Sequence, residues 1–169
     1  MKMLIDASER CGINILFAGA SLDNEIEEII KSKKNIKYFG KYDYNSEIAK
    51  LYGQVDCIYS VYDADMNNVK VALPNKLYES ILCELPIIVA KGTYLSELVE
   101  KMGVGVSVSH KDKNELKNVL TKLANDKSYY QSMVESCKKY KSDINISKYN
   151  EKLLTRIEKI CSNSINDSY

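Results

Sequence analysis

The sequence predicts an α/β fold, a doubly wound parallel sheet covered by helices on both faces. Short apolar runs rich in β-branched and aromatic residues recur along the chain, and segments with helical spacing of apolar residues lie between them. Strands that are apolar on both faces form a sheet whose two faces must both be buried by helices. Right-handed helical crossovers between parallel strands place helices on both faces. With 169 residues, 45% of them hydrophobic, the chain is long enough for one well-buried domain.

In chain order, the first strand is predicted at the apolar run Ile13 to Ala18. Helical spacing predicts a helix from Leu22 to Lys31 after it. The apolar run Ile36 to Phe39 predicts the second strand, and helical spacing from Ser46 to Tyr52 predicts the second helix. The third strand is predicted at Cys57 to Val61, and the first half of the chain therefore alternates between the two element types.

A long polar connection follows Val61 and leads to a third helix, predicted from Asn75 to Cys83. Pro74 suits the first turn of that helix, where a missing amide proton costs no hydrogen bond. The connection is longer than a usual strand-to-helix loop, which indicates a functional role for it. The apolar run Ile87 to Ala90 then predicts the fourth strand.

The spacing next predicts a helix from Leu95 to Met102, entered through a glycine turn with Ser96 and Glu97 as capping residues. The fifth strand is predicted at Val104 to Val108, and an amphipathic helix follows from Lys113 to Asn125.

Two terminal helices, Tyr129 to Tyr140 and Tyr149 to Ile160, are expected to pack across the edge of the sheet. We therefore predict a domain over residues 1–145. Residues 146–169 are predicted to form a C-terminal helix and a frayed tail of the same domain.

The charge balance excludes some classes of partner. The chain has 24 lysines and arginines against 23 acidic residues, which gives no electrostatic reason to expect nucleic acid or an anionic membrane. No run is apolar and long enough to span a membrane, and the amino terminus lacks the pattern of a signal peptide. Peripheral membrane association through a partner stays open.

Cysteine usage favours reduced thiols over disulfides or zinc, because the five cysteines are odd in number, widely spaced and never arranged as C-x-x-C. We therefore expect buried thiols and a cytoplasmic location. No ligand spacing predicts a metal site. The cysteines are Cys11, Cys57, Cys83, Cys137 and Cys161.

Candidate binding residues lie in the loops after the strands, since ligands of open parallel sheets bind beyond the carboxyl ends of the strands. Gly19 follows the first strand and lets backbone amides approach an anion, although a plain tight turn is the competing interpretation. Gly40, Lys41 and Tyr42 follow the second strand, where they form either a surface for the edge of a base or an ordinary turn.

The start of the third helix is the most informative point. The free amides of Asn75 and Lys76 face any bound phosphate there, and Lys76 adds a positive charge. Glu79 lies one turn after Asn75, where its carboxylate can accept two hydrogen bonds from vicinal hydroxyls such as those of a ribose. A solvated or ion-paired helix glutamate is the alternative.

Four segments together resemble the C-terminal domain of GT-B glycosyltransferases of family four: FGKY, the PNKLYES helix, the ELPIIVAKG strand and the turn from Leu95 to Val99. The resemblance covers most of the chain. It implies a Rossmann-like domain that holds a UDP-sugar or GDP-sugar, with no further cofactor, in a cleft against an N-terminal half that supplies the acceptor site.

The resemblance also implies roles for individual residues. Glu79 matches the glutamate that binds ribose hydroxyls, and Asn75 and Lys76 match the helix start that contacts the diphosphate. Gly40, Lys41 and Tyr42 match the loop that contacts the base.

The sequence also departs from the family pattern. Val71 stands where family members carry a second glutamate beside the donor sugar, eight positions before Glu79. Ala20 and Ser21 stand where a second glycine is common. The family's basic phosphate-binding pair and its N-terminal domain would precede Met1, and without domain closure the chain alone is expected to bind weakly and transfer nothing.

The leading hypothesis is the donor-binding half of a retaining glycosyltransferase of bacterial polysaccharide or glycoconjugate synthesis, in which Lys76 offsets charge on the departing diphosphate. The alternative is a non-catalytic interaction module derived from the same fold, which Val71 and an apolar cleft face would favour. A sugar-nucleotide epimerase fits less well, because no set of paired acidic and histidine residues is found. The single histidine, His110, is expected at the surface, and the thirteen tyrosines are expected to pack or face solvent.

Overall fold

Strands and helices alternate along the chain in the computed structural model, which describes residues 1–144 and 154–156. The elements are α1 (Lys2–Cys11), β1 (Ile15–Phe17), α2 (Asn24–Lys31), β2 (Ile36–Tyr38), α3 (Tyr44–Tyr52), β3 (Ile58–Ser60), α4 (Asn67–Val71), α5 (Lys76–Cys83), β4 (Ile87–Ala90), α6 (Tyr94–Met102), β5 (Gly105–Val108), α7 (Lys113–Asn125) and α8 (Lys127–Lys141). The α/β class predicted from the sequence is confirmed.

All strand pairs are parallel, but the strands are hydrogen-bonded as a pair and a triplet, β1-β2 and β3-β4-β5. The register places Ile15 opposite Ile36 in the pair, and Ile87 opposite both Ile58 and Gly105 in the triplet. The two sheets share one core, because Ile15 of β1 packs in the same cluster as Ile88 of β4. Side-chain packing therefore joins the two groups of strands.

Helices cover both faces of the triplet, as its apolar strands require. Every residue of β4 is buried, and its first three side chains alternate between two clusters. Ile88 packs with Ile5 of α1 and Leu116 of α7. Ile87 and Val89 pack on the other face with residues of α5, α6 and α8. The period of two along a strand thus separates the core into two layers.

Helix α1 was not anticipated from the sequence. Its buried residues Leu4, Ile5 and Ser8 recur at helical spacing and pack against α7. Gly12 ends the helix at a φ of 65°, the left-handed conformation that glycine adopts most easily. The helical spacing is visible in the sequence, although the first predicted element begins only at Ile13.

Two helix starts differ from expectation. Helix α5 begins at Lys76 with Asn75 as its N-cap, so Pro74 lies just outside the helix instead of in its first turn. Helix α6 is capped by Thr93 in a capping box with Ser96, whose amide donates to the threonine hydroxyl at 3.1 Å. The expected role of Ser96 in capping is confirmed, and the actual cap is Thr93 instead of Glu97.

The cysteines of the described residues carry free thiols, as expected. Burial raises the pKa of the Cys137 thiol to about 11, because a thiolate is poorly solvated in the core. Cys83 is exposed, which corrects the expectation of burial, since it lies at the end of α5 away from the core. Cys161 lies outside the described residues.

The predicted terminal elements are only partly covered by the structure. Helix α8 confirms the segment predicted from Tyr129 to Tyr140. Residues 154–156 are helical, and the rest of the helix predicted from Tyr149 to Ile160 lies outside the described residues, as does the tail. Within the described ranges, no helix has the length and apolarity needed to cross a membrane.

Candidate functional site

The loops after β1 and β2 meet through their glycines. The Gly19 amide donates to the Gly40 carbonyl at 2.9 Å, and the Tyr38 hydroxyl donates to the Gly19 carbonyl at 2.9 Å. Gly40 has a φ of 85°, a conformation that side chains strongly disfavour. The two loops that carry the predicted binding glycines are therefore hydrogen-bonded to each other beyond the carboxyl ends of β1 and β2.

Glu79, in the first turn of α5, is held by two tyrosines of α3. The Tyr44 hydroxyl donates to Glu79 Oε1 at 2.7 Å, and the Tyr52 hydroxyl donates to Glu79 Oε2. The carboxylate is half-buried and makes no ion pair with any residue described here. The ion-paired alternative considered for Glu79 is therefore not what the structure has.

The two hydroxyls remain proton donors at neutral pH. Burial, followed by the hydrogen bond to Glu79, raises the pKa of Tyr52 well above its usual value. The hydrogen bond to Glu79 is the main cause that raises the pKa of Tyr44. Electrostatic interaction with Tyr42, in the predicted base loop, is a smaller cause that also raises the pKa of both groups.

Lys76 completes this cluster. Its Nζ lies 3.5 Å from the Tyr52 hydroxyl and 6.0 Å from the centre of the Tyr52 ring. No carboxylate of the described chain lies within ion-pair distance of the ammonium group. We call Tyr44, Tyr52, Lys76 and Glu79 the Lys–Tyr–Glu cluster. It combines an unneutralised cation with a positioned carboxylate.

The start of α5 has unsatisfied donors. Asn75 is exposed, and its side chain makes no capping hydrogen bond. In the described parts of the chain, no carbonyl accepts a hydrogen bond from the amides of Asn75 or Lys76. Such free amides, together with the positive end of the helix, suit an anion. They lie within one turn of the Lys–Tyr–Glu cluster.

The sequence pattern identified half of this cluster. Glu79 and Lys76 were predicted, whereas Tyr44 and Tyr52 were counted among tyrosines that pack or face solvent. The spacing of residues in α3 does not reveal their partner, because Glu79 lies on another helix. It is 27 residues from Tyr52 and 35 residues from Tyr44 in the sequence. Lys41, predicted for the base loop, is exposed, and within residues 1–144 no hydrogen bond or ion pair joins it to the cluster, so its role stays a prediction.

A second polar cluster joins the loops after β3 and β5. His110 Nε2 lies 3.1 Å from Asp63 Oδ1 and 3.8 Å from Asp65 Oδ2. The His110 side chain is only 16% exposed, which corrects the expectation of a surface residue. The ligand atoms of these three residues lie within 4.8 Å of one another, a grouping that their spacing did not reveal. Lys111 pairs with Asp65 and lowers the pKa of that carboxyl, so a cation of the chain itself already compensates this charge.

The connection from β3 to α5 exposes apolar side chains. Val71, which stands in place of the family's second glutamate, is 74% exposed at the end of α4. Met66 and Leu73 are also exposed, at 52% and 37%. The connection therefore exposes three apolar side chains in the segment that precedes α5 in the sequence.

Comparisons with known proteins identify the family and the fold. A family model described as glucosyltransferase 3-like, C-terminal domain, matches residues 16–157. No curated protein sequence matches the chain.

Several solved structures have the same fold. Sucrose-phosphate synthase from Thermosynechococcus elongatus is 16% identical, with a TM-score of 0.74 over 96% of this chain and 42% of its own. HepE (Alr3699) from Anabaena, solved in complex with UDP, is 18% identical, with a TM-score of 0.73 over 94% of this chain and 45% of its own. WaaG, a glycosyltransferase involved in lipopolysaccharide biosynthesis, is 16% identical, with a TM-score of 0.67 over 86% of this chain and 39% of its own. The chain thus spans less than half of the length of each of these structures.

Proposed function

The chain belongs to the glucosyltransferase 3-like C-terminal domain family, and from this membership we propose that it is the donor-binding half of a retaining glycosyltransferase that uses a nucleotide-diphosphate sugar. The observation that carries the proposal is the Lys–Tyr–Glu cluster at the start of α5. It offers a carboxylate for hydroxyl groups, an unpaired ammonium group for phosphate, and free helix amides.

We assign each part of the donor to a part of this site. The ribose hydroxyls donate to Glu79, whose two oxygens can together accept about four hydrogen bonds. The diphosphate lies at the amides of Asn75 and Lys76, where the helix end favours negative charge. Gly40, Lys41 and Tyr42 lie towards the base, and the backbone of the Gly19 loop, which is hydrogen-bonded to Gly40, lies towards the phosphates. Because the bond between sugar and diphosphate breaks during transfer, the charge of Lys76 stabilises the departing diphosphate.

The acceptor half and the pathway are part of the same proposal. An N-terminal domain or partner subunit would close on the exposed apolar connection around Val71 and bring the acceptor to the donor sugar. WaaG acts in lipopolysaccharide biosynthesis, which supports hexosyl transfer in bacterial polysaccharide or glycoconjugate synthesis here. Free thiols on the described cysteines are compatible with a cytoplasmic location.

The direct test is calorimetric titration of the chain with UDP, GDP and uridine. UDP is the first choice, because HepE was solved with it bound. We expect saturable binding of at least one diphosphate in the millimolar to micromolar range, and weaker binding of uridine, which lacks the phosphates. Absence of binding of both diphosphates at millimolar concentration would contradict the proposal.

The variant Lys76→Met is expected to weaken UDP binding about tenfold, because a charge-assisted contact with phosphate is lost. Uridine should bind the variant and the wild type equally, since it has no phosphate. Lys122→Met is the matched control: the Lys122 ammonium lies 3.8 Å from the centre of the Tyr129 ring, on α7 and away from the site. Equal weakening of UDP and uridine by Lys76→Met would indicate a packing role instead.

A second candidate function is a non-catalytic interaction module, which the exposure of Val71 favours. A glutamate is replaced by an apolar side chain that is 74% exposed, beside the exposed Met66. Exposed apolar side chains are typical of partner surfaces where they form a contiguous patch. This candidate would replace the first if the chain binds no nucleotide while Val71→Asp disrupts a complex with a partner protein.

A further inference from the structure

The carboxylate of Glu79 is already occupied in this structure by the two tyrosines that contact it. Tyr44 reaches Oε1 from one end of α3, and Tyr52 reaches Oε2 from the other end. A ribose that binds Glu79 has to share these oxygens or displace a tyrosine. The two tyrosines differ in how firmly the fold holds them.

Tyr52 is fixed by the core, whereas Tyr44 is not. The Tyr52 ring packs against the core cluster formed by residues of β3, α5 and α6, and its hydroxyl lies between Glu79 and Lys76. Tyr44 is 50% exposed, and among the described residues its hydroxyl bonds to Glu79 alone. Water can replace that one contact at little cost when the Tyr44 side chain turns away.

We propose that Tyr52 is a positioning residue that holds Glu79 for the ribose, and that Tyr44 occupies the place of the ribose until a nucleotide displaces it. This inference rests on the proposed function and deepens it, since it names the residues that prepare the same site. Carboxylate oxygens accept about two hydrogen bonds each, so Oε2 can keep Tyr52 and still accept a ribose hydroxyl.

Tyr52 also keeps the two charges of α5 apart. Lys76 and Glu79 are three residues apart on one helix, a spacing at which opposite charges pair directly. In the structure, the Tyr52 hydroxyl lies between them, 3.5 Å from Lys76 Nζ and hydrogen-bonded to Glu79. Direct pairing would satisfy both charges within the helix and withdraw them from ribose and phosphate. The tyrosine hydroxyl therefore maintains both binding groups.

The proposal predicts that Tyr52→Phe loses recognition of the ribose while the fold is retained. The ring and its packing stay, but the hydroxyl that holds Glu79 is gone, so UDP affinity should fall about tenfold. The informative readout is the ratio of affinities for UDP and 2′-deoxyuridine diphosphate. We expect wild type to prefer UDP and Tyr52→Phe to bind both equally.

Tyr44→Phe gives the opposite expectation. Removal of a hydroxyl that competes with the ribose should raise UDP affinity a few-fold, with the preference for UDP retained, and an unchanged affinity would contradict the assignment of Tyr44 as the group that the ribose displaces. Tyr130→Phe is the control for the loss of a tyrosine hydroxyl, because Tyr130 is half-buried and donates to the Asp56 carbonyl at 3.1 Å without contacting Glu79. Thermal unfolding of each variant reports whether the fold is intact.

The outcomes separate this inference from the proposed function. If wild type prefers UDP and Tyr52→Phe keeps that preference, the inference is wrong and the donor site stands. If Tyr44→Phe loses the preference, Tyr44 is the positioning residue and the assignment is overturned. If wild type binds no nucleotide, the proposed function fails and the inference fails with it.

Discussion

Gly105→Ala is expected to lower the free energy of unfolding by about 3 kcal/mol or more, at the upper end of what overpacking costs. Gly105 of β5 lies opposite Ile87 in the ladder with β4. A Cβ atom on Gly105 would lie 1.9 Å from the Ile87 carbonyl oxygen and 2.8 Å from its carbonyl carbon. These are backbone atoms of a fully buried strand, so no side chain can move aside to make room. The strands would have to separate, and their shared ladder would be lost.

Gly53→Ala is the matched control, and it is expected to raise the free energy of unfolding instead of lowering it. Gly53 follows α3 at a φ of −68°, which any residue adopts, and a Cβ atom there would lie 3.4 Å from the nearest atom. Alanine should stabilise by about 0.4 to 1 kcal/mol, because it restricts the unfolded chain. Urea denaturation followed by circular dichroism measures both variants. A Gly105→Ala variant as stable as wild type would contradict the strand register described here.

The strand pattern could be predicted from the sequence because burial controls it. Ile87–Ala90 is observed with the predicted bounds, since a strand buried on both faces must be apolar at every position. The fifth strand starts at Gly105, one residue after the predicted start at Val104. Apolar character alone does not identify the first residue of the strand, because Val104 is completely buried and yet precedes the strand. The start of the ladder depends on how closely β4 approaches, and a glycine allows that approach.

The site was predictable only where a local pattern determines it. Asn75, Lys76 and Glu79 share one helix start, so their proximity follows from helical spacing alone. Tyr52 and His110 gain their partners from other elements, through folding of the whole chain. A contact between a tyrosine hydroxyl of α3 and a carboxylate of α5 has no signature in the residue spacing of either helix. The sequence therefore indicates the candidate ligand-binding groups, but it does not reveal the residues from other elements that contact them.

Glu79→Ala is expected to weaken UDP binding about 100-fold under the proposed function. Two ribose hydroxyls lose a charged acceptor, and each such hydrogen bond contributes about 1.5 kcal/mol, which together amounts to roughly two orders of magnitude in affinity. The fold should be unaffected, because Glu79 lies outside both core clusters. Glu135→Ala is the control for a helix glutamate, since Glu135 is exposed on α8 and pairs only locally, with Lys138 at 2.8 Å and Gln131.

Inorganic pyrophosphate distinguishes the two halves of the site. It carries the phosphates without the ribose, so Glu79→Ala should bind it at least as well as wild type, whereas Lys76→Met should bind it more weakly. UDP should show losses in both variants. If Glu79→Ala binds UDP as wild type does, the carboxylate is not the ribose ligand, and its two tyrosine contacts would then serve only to join α3 to α5. If pyrophosphate binding falls together with UDP binding in Glu79→Ala, the carboxylate orders the whole helix start instead of recognising the ribose.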